Sequence, residues 1–218
     1  MREPPKIPDA SIVEALETEY GLSIRALTFL PLGADSASAA FRVLAADGAT
    51  FFLKIRTGDG FSPPSLVVPR YLHDRGVANI LSPIPTIEGS LWIMVKDHAL
   101  SLYPFIEGRM AAHVGLSEQH WTDFGATLRQ VHASRLTPDL RRLVRRETFT
   151  PSRRDVLEHL EAAITQQTRA DPLQNELAEL WRARQEDIHR LLDCVDALGR
   201  RLRRSSLPVV LCHADLHN

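Results

Sequence analysis

The hydrophobic period of this chain changes once, near Glu107-Gly108, and that change limits the fold more than any other feature. Before it, the runs 24–32, 39–46, 50–56, 91–97 and 99–106 read as β-strands. Ala46-Asp47-Gly48 is a hairpin turn signal between the second and third runs. The first two are joined by Leu32-Gly33-Ala34-Asp35-Ser36-Ala37-Ser38, a stretch of mostly small or polar residues. A helix capped by Asp9 is expected ahead of them, with Ile12, Val13, Leu16 and Tyr20 on one stripe and Gly21 as its terminator. A short helix over 65–73, with Pro69 inside it, interrupts the strands.

After Gly108 the spacing becomes helical. Trp121, Phe124, Leu128 and Val131 recur on one face behind Ser117, a natural cap. Segment 152–168 is expected to be a second helix and 173–204 a long third one, closed by Ser205-Ser206-Leu207-Pro208. Val209-Val210-Leu211-Cys212 then reads as a buried strand. The fold class is therefore α+β. A five-stranded antiparallel sheet with an inserted helix occupies 1–106, and a helical part occupies 107–218. Ligands often sit at such a junction.

Composition removes several functions. Lys and Arg number 26 against 27 Asp and Glu, so a basic nucleic-acid footprint is absent. The start, Met1-Arg2-Glu3-Pro4-Pro5, lacks the apolar core of a secretory signal. No run approaches the roughly 18 apolar residues of a membrane helix. A cytoplasmic protein is expected, with Cys194 and Cys212 as buried free thiols, too few for a disulfide framework or a four-cysteine zinc site.

The residues with chemical potential fall in a fixed order. Lys54 lies in the apolar run Phe51-Phe52-Leu53-Lys54-Ile55-Arg56, and a lysine there either snorkels, as at a sheet edge, or meets an anion. The Gly33–Ser38 turn allows backbone N–H groups to approach a phosphate, with Ser36 and Ser38 as hydroxyl donors; the alternative is an ordinary hairpin turn. Pro104-Phe105-Ile106-Glu107-Gly108 joins the halves. His213-Ala214-Asp215-Leu216-His217 follows the expected last strand. A carboxylate on a strand end is rigidly mounted, but Asp215 capping a turn is an equal reading. A metal set of His213, Asp215 and His217, alternating along an extended segment, is a third.

In that order these parts resemble the aminoglycoside phosphotransferase family, a small-molecule branch of the protein-kinase-like fold. The resemblance is nearest to the spectinomycin phosphotransferases. It rests on Gly33-Ala34-Asp35, Phe52-Leu53-Lys54, Leu72-His73-Asp74, Tyr103-Pro104-Phe105-Ile106 and Cys212-His213-Ala214-Asp215-Leu216-His217. It implies a two-lobe kinase-like fold and phosphoryl transfer from ATP, with Mg²⁺, to a hydroxyl of an aminoglycoside or aminocyclitol antibiotic. An alternative reading keeps the kinase but makes its substrate another small alcohol, such as choline, homoserine or a sugar. It assigns nucleotide binding to Gly33, Ala34, Asp35, Ser36, Ser38, Lys54, Pro104, Phe105 and Ile106, and the catalytic role to Asp215. His213 braces the catalytic loop.

The resemblance also implies departures. The kinase fold pairs the strand-three lysine with a glutamate on the next helix, yet no acidic residue lies between Gly60 and His73; Asp59 and Asp74 flank the gap. The metal-binding asparagine of the family would fall beyond Asn218, which is itself too near Asp215 to serve. No metal ligand is thus expected within the chain, and the helical lobe is expected to be incomplete. A split enzyme with a complementing C-terminal fragment, or a non-catalytic nucleotide-binding product, is the alternative. Polycationic substrates call for an acidic pocket, but the acidic residues of 109–200 are interspersed with arginines such as Arg141-Arg142 and Arg145-Arg146.

Overall fold

The structure is a computed structural model that describes residues 3–33, 37–57, 60–151, 153–166 and 171–214. It forms two compact units, 1–144 with 210–218, and 145–209.

The first unit is built on a five-stranded antiparallel sheet in the order β1-β2-β3-β5-β4. The strands are β1 (Ile24–Leu30), β2 (Ser38–Ala45), β3 (Thr50–Thr57), β4 (Ile93–Val95) and β5 (His98–Pro104). Successive strand side chains point to opposite faces. One face carries Phe41, Val43, Leu53, Ile55, Leu100 and Leu102, all fully or nearly buried. The helix α1 (Asp9–Tyr20) packs Ile12 and Leu16 into this same core. Its first helical residue is Asp9, and the capping position belongs to Pro8, which makes no side-chain cap bond. Asp9 is therefore not the cap; its charge sits in the first turn, where the helix dipole favours it. Gly21 terminates the helix in the left-handed region at φ 66°, as its lack of a Cβ allows.

The expected strands 91–97 and 99–106 are trimmed to β4 and β5. Lys96, at φ 56°, turns the chain between them, so pairing starts at Val95 with His98. Pairing with β3 ends at Pro104, which leaves Phe105 and Ile106 in the linker. The turn at Asp47-Gly48 forms as expected, with Gly48 at φ 90° and Asp47 Oδ1 accepting from the Ala49 N–H at 2.9 Å.

The helix α2 (Pro64–Asp74) keeps Pro69 within it. Leu72 joins Val77 and Val131 in a second cluster, and Val131 comes from the helix α4 (Glu118–Ala133). The start of α4 is a capping box: Ser117 accepts from the His120 N–H, and the His120 ring accepts from the Ser117 N–H. The short helices α3 (Ala111–Val114) and α5 (Pro138–Leu143) flank it. Segment 209–212 is not a buried strand. Val209 and Val210 are exposed, and only Leu211 packs, against the Leu72 cluster. A strand needs a neighbour for its N–H and C=O groups, and among the described residues no strand pairs with this segment.

The second unit is a pair of helices, α6 (Arg154–Gln166) and α7 (Pro172–Arg203). Ile164 and Ala178 are buried in it. An Arg154–Asp196 ion pair ties the two helices, and Glu161 accepts from Gln185 at 2.5 Å and meets His189 Nε2 at 3.1 Å. Both cysteines are free, and contrary to expectation both are exposed. Cys194 lies on a solvent-facing side of α7, and Cys212 lies on the extended segment that fails to become a strand.

Candidate nucleotide site

Register orders the sheet face opposite the core. Arg42 pairs with Phe52 and Phe52 with Tyr103; Ala40 pairs with Lys54 and Lys54 with Ser101; Ser38 pairs with Arg56 and Arg56 with Ala99. Directly paired residues share a face, so these are consecutive rows. The first row lies at the linker end and the last beside the Gly33 turn. Lys54 stands in the middle row between Ala40 and Ser101, whose small side chains leave room beside its stem. Phe52 and Tyr103 meet edge to face, with ring centroids 6.3 Å apart. Each row thus carries one cation, Arg42, Lys54 or Arg56, with an aromatic pair at the linker end and small neighbours flanking Lys54 and Arg56.

Gly33 takes φ 89°, a conformation that side chains resist, and so opens the turn after β1. Ala34, Asp35 and Ser36 lie outside the described residues. The far side of the turn is fixed: the Ala37 carbonyl accepts from the Thr57 N–H at 3.0 Å and from Thr57 Oγ1 at 3.3 Å. Gly60 approaches it as well, since a Cβ there would lie 2.9 Å from Ala37 Cβ. Ser38 opens β2 opposite Arg56.

At the other end the Phe105 N–H donates to the Thr50 carbonyl at 3.3 Å. Peptide groups alternate along a strand, so the Pro104 carbonyl turns to the opposite edge of β5. That is the edge on which the Ile84 N–H donates to the Leu102 carbonyl at 2.7 Å. Ile106 is 69 % exposed, and its N–H takes no hydrogen-bond acceptor among the described residues. The linker therefore has an available acceptor and donor on consecutive turns of the chain, the pair a purine's amine and ring nitrogen require.

Asp74 is committed to its own helix. Arg70 bonds it at 2.7 Å and His73 lies 3.5 Å away. The hydrogen bond from Arg70 holds the Asp74 carboxyl below its usual range. Asp59 lies outside the described residues, as do Asp215, His217 and Asn218. His213 is exposed on the segment anchored by Leu211. Ala214, at φ 63°, bends the chain immediately before Asp215. Among the described residues no three His, Cys, Asp or Glu side chains gather to hold a metal ion.

The sequence-family model described as the phosphotransferase enzyme family (APH) matches residues 28–218. The chain belongs to that family. Solved structures agree. The crystal structure of spectinomycin phosphotransferase, APH(9)-Ia, in complex with ADP and spectinomycin is 27 % identical, with a TM-score of 0.79 over 98 % of this chain and 64 % of that one. The AMP-bound complex of the same enzyme is 25 % identical, with a TM-score of 0.74 over 95 % and 63 %. The chain thus spans less than two thirds of the length of the solved enzyme it matches. No curated protein sequence matches it significantly. The α+β kinase-like fold with its five-stranded sheet is the fold of this family, whose members are small-molecule phosphotransferases.

Sequence reasoning missed Arg42 and Gly60 as parts of this region, and it missed that Glu107 of the linker pairs with Arg42. Arg42 donates to Glu107 Oε1 at 3.1 Å, and its guanidinium carbon stands 4.8 Å from the Phe105 ring centroid. Only the alternation of β2, which puts Arg42 on the face of Lys54, signals this in the sequence. A separate cleft in the helical unit is lined by Arg154, Glu158, Glu161, Trp181, His189 and Asp193, so its charges are mixed. No helix among the described residues is long and apolar enough to cross a membrane.

Proposed function

We propose that this chain carries the nucleotide site and catalytic loop of an ATP-dependent O-phosphotransferase that acts on a hydroxyl of a spectinomycin-like aminocyclitol antibiotic. The observation that carries this reading is the ordered sheet face, running from linker through Lys54 to the Gly33 turn, in a chain of this family. The nucleotide lobe is 1–106 and the helical lobe 107–218. The Pro104 carbonyl accepts from the exocyclic amine of adenine, the Ile106 N–H donates to its ring, and Phe105 lines the slot. The Lys54 ammonium meets the α- and β-phosphates. Gly33, Ala34, Asp35, Ser36 and Ser38 bring N–H and O–H donors to the phosphate chain.

Asp215 accepts the hydrogen bond of the substrate hydroxyl and aims its oxygen at the γ-phosphorus. The new O–P bond forms as the bond to the β-phosphate breaks, ADP leaves, and Asp215 takes the hydroxyl proton. His213 braces the loop. Mg²⁺, when bound, neutralises phosphate charge. Among the described residues no cluster of His, Cys, Asp or Glu gathers to hold it. ATP chemistry places the enzyme in the cytoplasm, where phosphorylating the drug gives resistance to it.

The test is phosphoryl transfer from ATP to spectinomycin, choline, homoserine and a sugar panel. The chain is assayed alone and mixed with a C-terminal polypeptide of the unrepresented length. Transfer to spectinomycin by the mixture is expected, falling by on the order of 10²- to 10⁴-fold in Asp215→Asn. Unchanged turnover in that variant would remove the role of Asp215, and transfer only to another alcohol would change the substrate. The alternative reading is a unit that binds nucleotide and transfers nothing. Its outcome is a melting point raised by ATP with no transfer in any mixture.

A further inference from the structure

The geometry points to Arg42 as a positioning residue for the nucleotide base, one that holds the linker in the conformation adenine needs. This rests on the reading of Pro104–Ile106 as the adenine site. Arg42 belongs to β2, and the linker leaves β5; β3 lies between them in the sheet. The Arg42 side chain therefore bridges across a whole strand. It stacks its guanidinium over the Phe105 ring at 4.8 Å and donates Nη2 to Glu107 Oε1 at 3.1 Å. These contacts grip the residues on either side of Ile106. The one backbone bond described for this stretch is from the Phe105 N–H to Thr50, at 3.3 Å.

The chemistry suits a clasp. A guanidinium is planar, so it stacks on an aromatic face while its edge donates to a carboxylate; a lysine ammonium, a compact point charge, does either but lacks the plane to do both at once. The ion pair is solvent-exposed on both sides, 46 % and 77 %, so it contributes little to the stability of the unit. Its effect is on where a flexible linker points its backbone groups. The side-chain partners described for Arg42, Phe105 and Glu107, both lie at the linker end, so its loss is expected to spare the phosphate end of the same face.

The experiment is calorimetric titration of the full 218-residue chain with ATP and, separately, with inorganic tripolyphosphate. Arg42→Ala is expected to weaken ATP about three- to tenfold and to leave tripolyphosphate binding and the melting point unchanged. Arg42→Lys recovers part of the loss, and the swap R42E/E107R recovers more than either single reversal. Lys54→Ala, the control for the underlying reading, weakens both ligands. Equal ATP affinity in Arg42→Ala, or an equal loss for both ligands, overturns the clasp while a Lys54→Ala loss leaves the nucleotide reading standing. Failure of the unaltered chain to bind ATP overturns both.

Discussion

The sheet and the helix α7 treat leucine in opposite ways. In the sheet, Leu53, Leu100 and Leu102 are sealed between the strands and α1. On α7, Leu173, Leu177 and Leu180, and then Leu191, Val195, Leu198 and Leu202, recur at three- and four-residue steps and are all exposed. Both patterns satisfy the rule that apolar residues fall on one face. Only the first has a covering layer within the unit. Burial, and not apolar periodicity, is what supplies stabilisation, so the two regions should respond differently to identical changes.

The largest contrast comes from truncating a sealed leucine. Leu100 is 0 % exposed and contacts both the strands and the α1 side of the core. Leu100→Ala is expected to lower stability by about 2–5 kcal/mol through lost transfer energy and a residual cavity. Urea denaturation followed by a sheet signal measures it. A loss below about 1 kcal/mol would mean the core collapses around the gap.

The same core offers a pH test. Burial pushes the Tyr20 phenol up to about 12. The folded state therefore holds this proton more tightly than the unfolded chain, whose tyrosine titrates near 10. The resulting stabilisation is complete below about pH 10 and is lost as pH rises through about 12, an effect of about 2–3 kcal/mol across that window. Tyr20→Phe should flatten the fall in stability between those pH values relative to the unaltered chain. An identical fall in both proteins rejects the assignment.

In the helical unit the sensitive position is a glycine. Gly199 is buried on α7, and a Cβ there would collide with the carbonyl oxygen of Phe149, which Arg203 Nη1 also bonds at 2.5 Å. Backbone cannot swing aside as a flexible side chain does. Gly199→Ala is expected to cost about 1–3 kcal/mol despite its better helix propensity. Helical circular dichroism during urea unfolding reads the outcome, and a stabilised variant would show that the 149 loop moves freely.

Much of this architecture was legible in the sequence where the signal is local. The strands of the sheet, the Asp47-Gly48 turn, Gly21 and the Ser117 cap each depend on residues a few positions apart. What was not legible depends on distant partners. The run Val209–Cys212 has the composition of a strand, but composition does not provide the neighbour that a strand must bond. The site shows the same division. Lys54 and the linker were read from their order, whereas Arg42 and Glu107, 65 positions apart, became a pair only through the register of β2. The closeness of Gly60 to Ala37 of the turn, 23 positions away in the chain, is likewise a tertiary fact. Asp215 remains a proposal on motif grounds.

The smallest expected effect is the sharpest test of the comparison. Leu191 is 65 % exposed on α7. Replacing it with alanine removes as many carbon atoms as Leu100→Ala does, and alanine forms helix at least as well as leucine. With little apolar area withdrawn from water at this position, Leu191→Ala should change stability by less than about 0.5 kcal/mol. The contrast with Leu100→Ala then isolates burial as the variable, since side chain, substitution and chain are the same. A cost approaching that of Leu100→Ala would show that the α7 stripe is covered in solution. Sedimentation across a concentration series would then tell whether the cover is a second copy, because a cover between copies weakens on dilution and a cover within one chain does not.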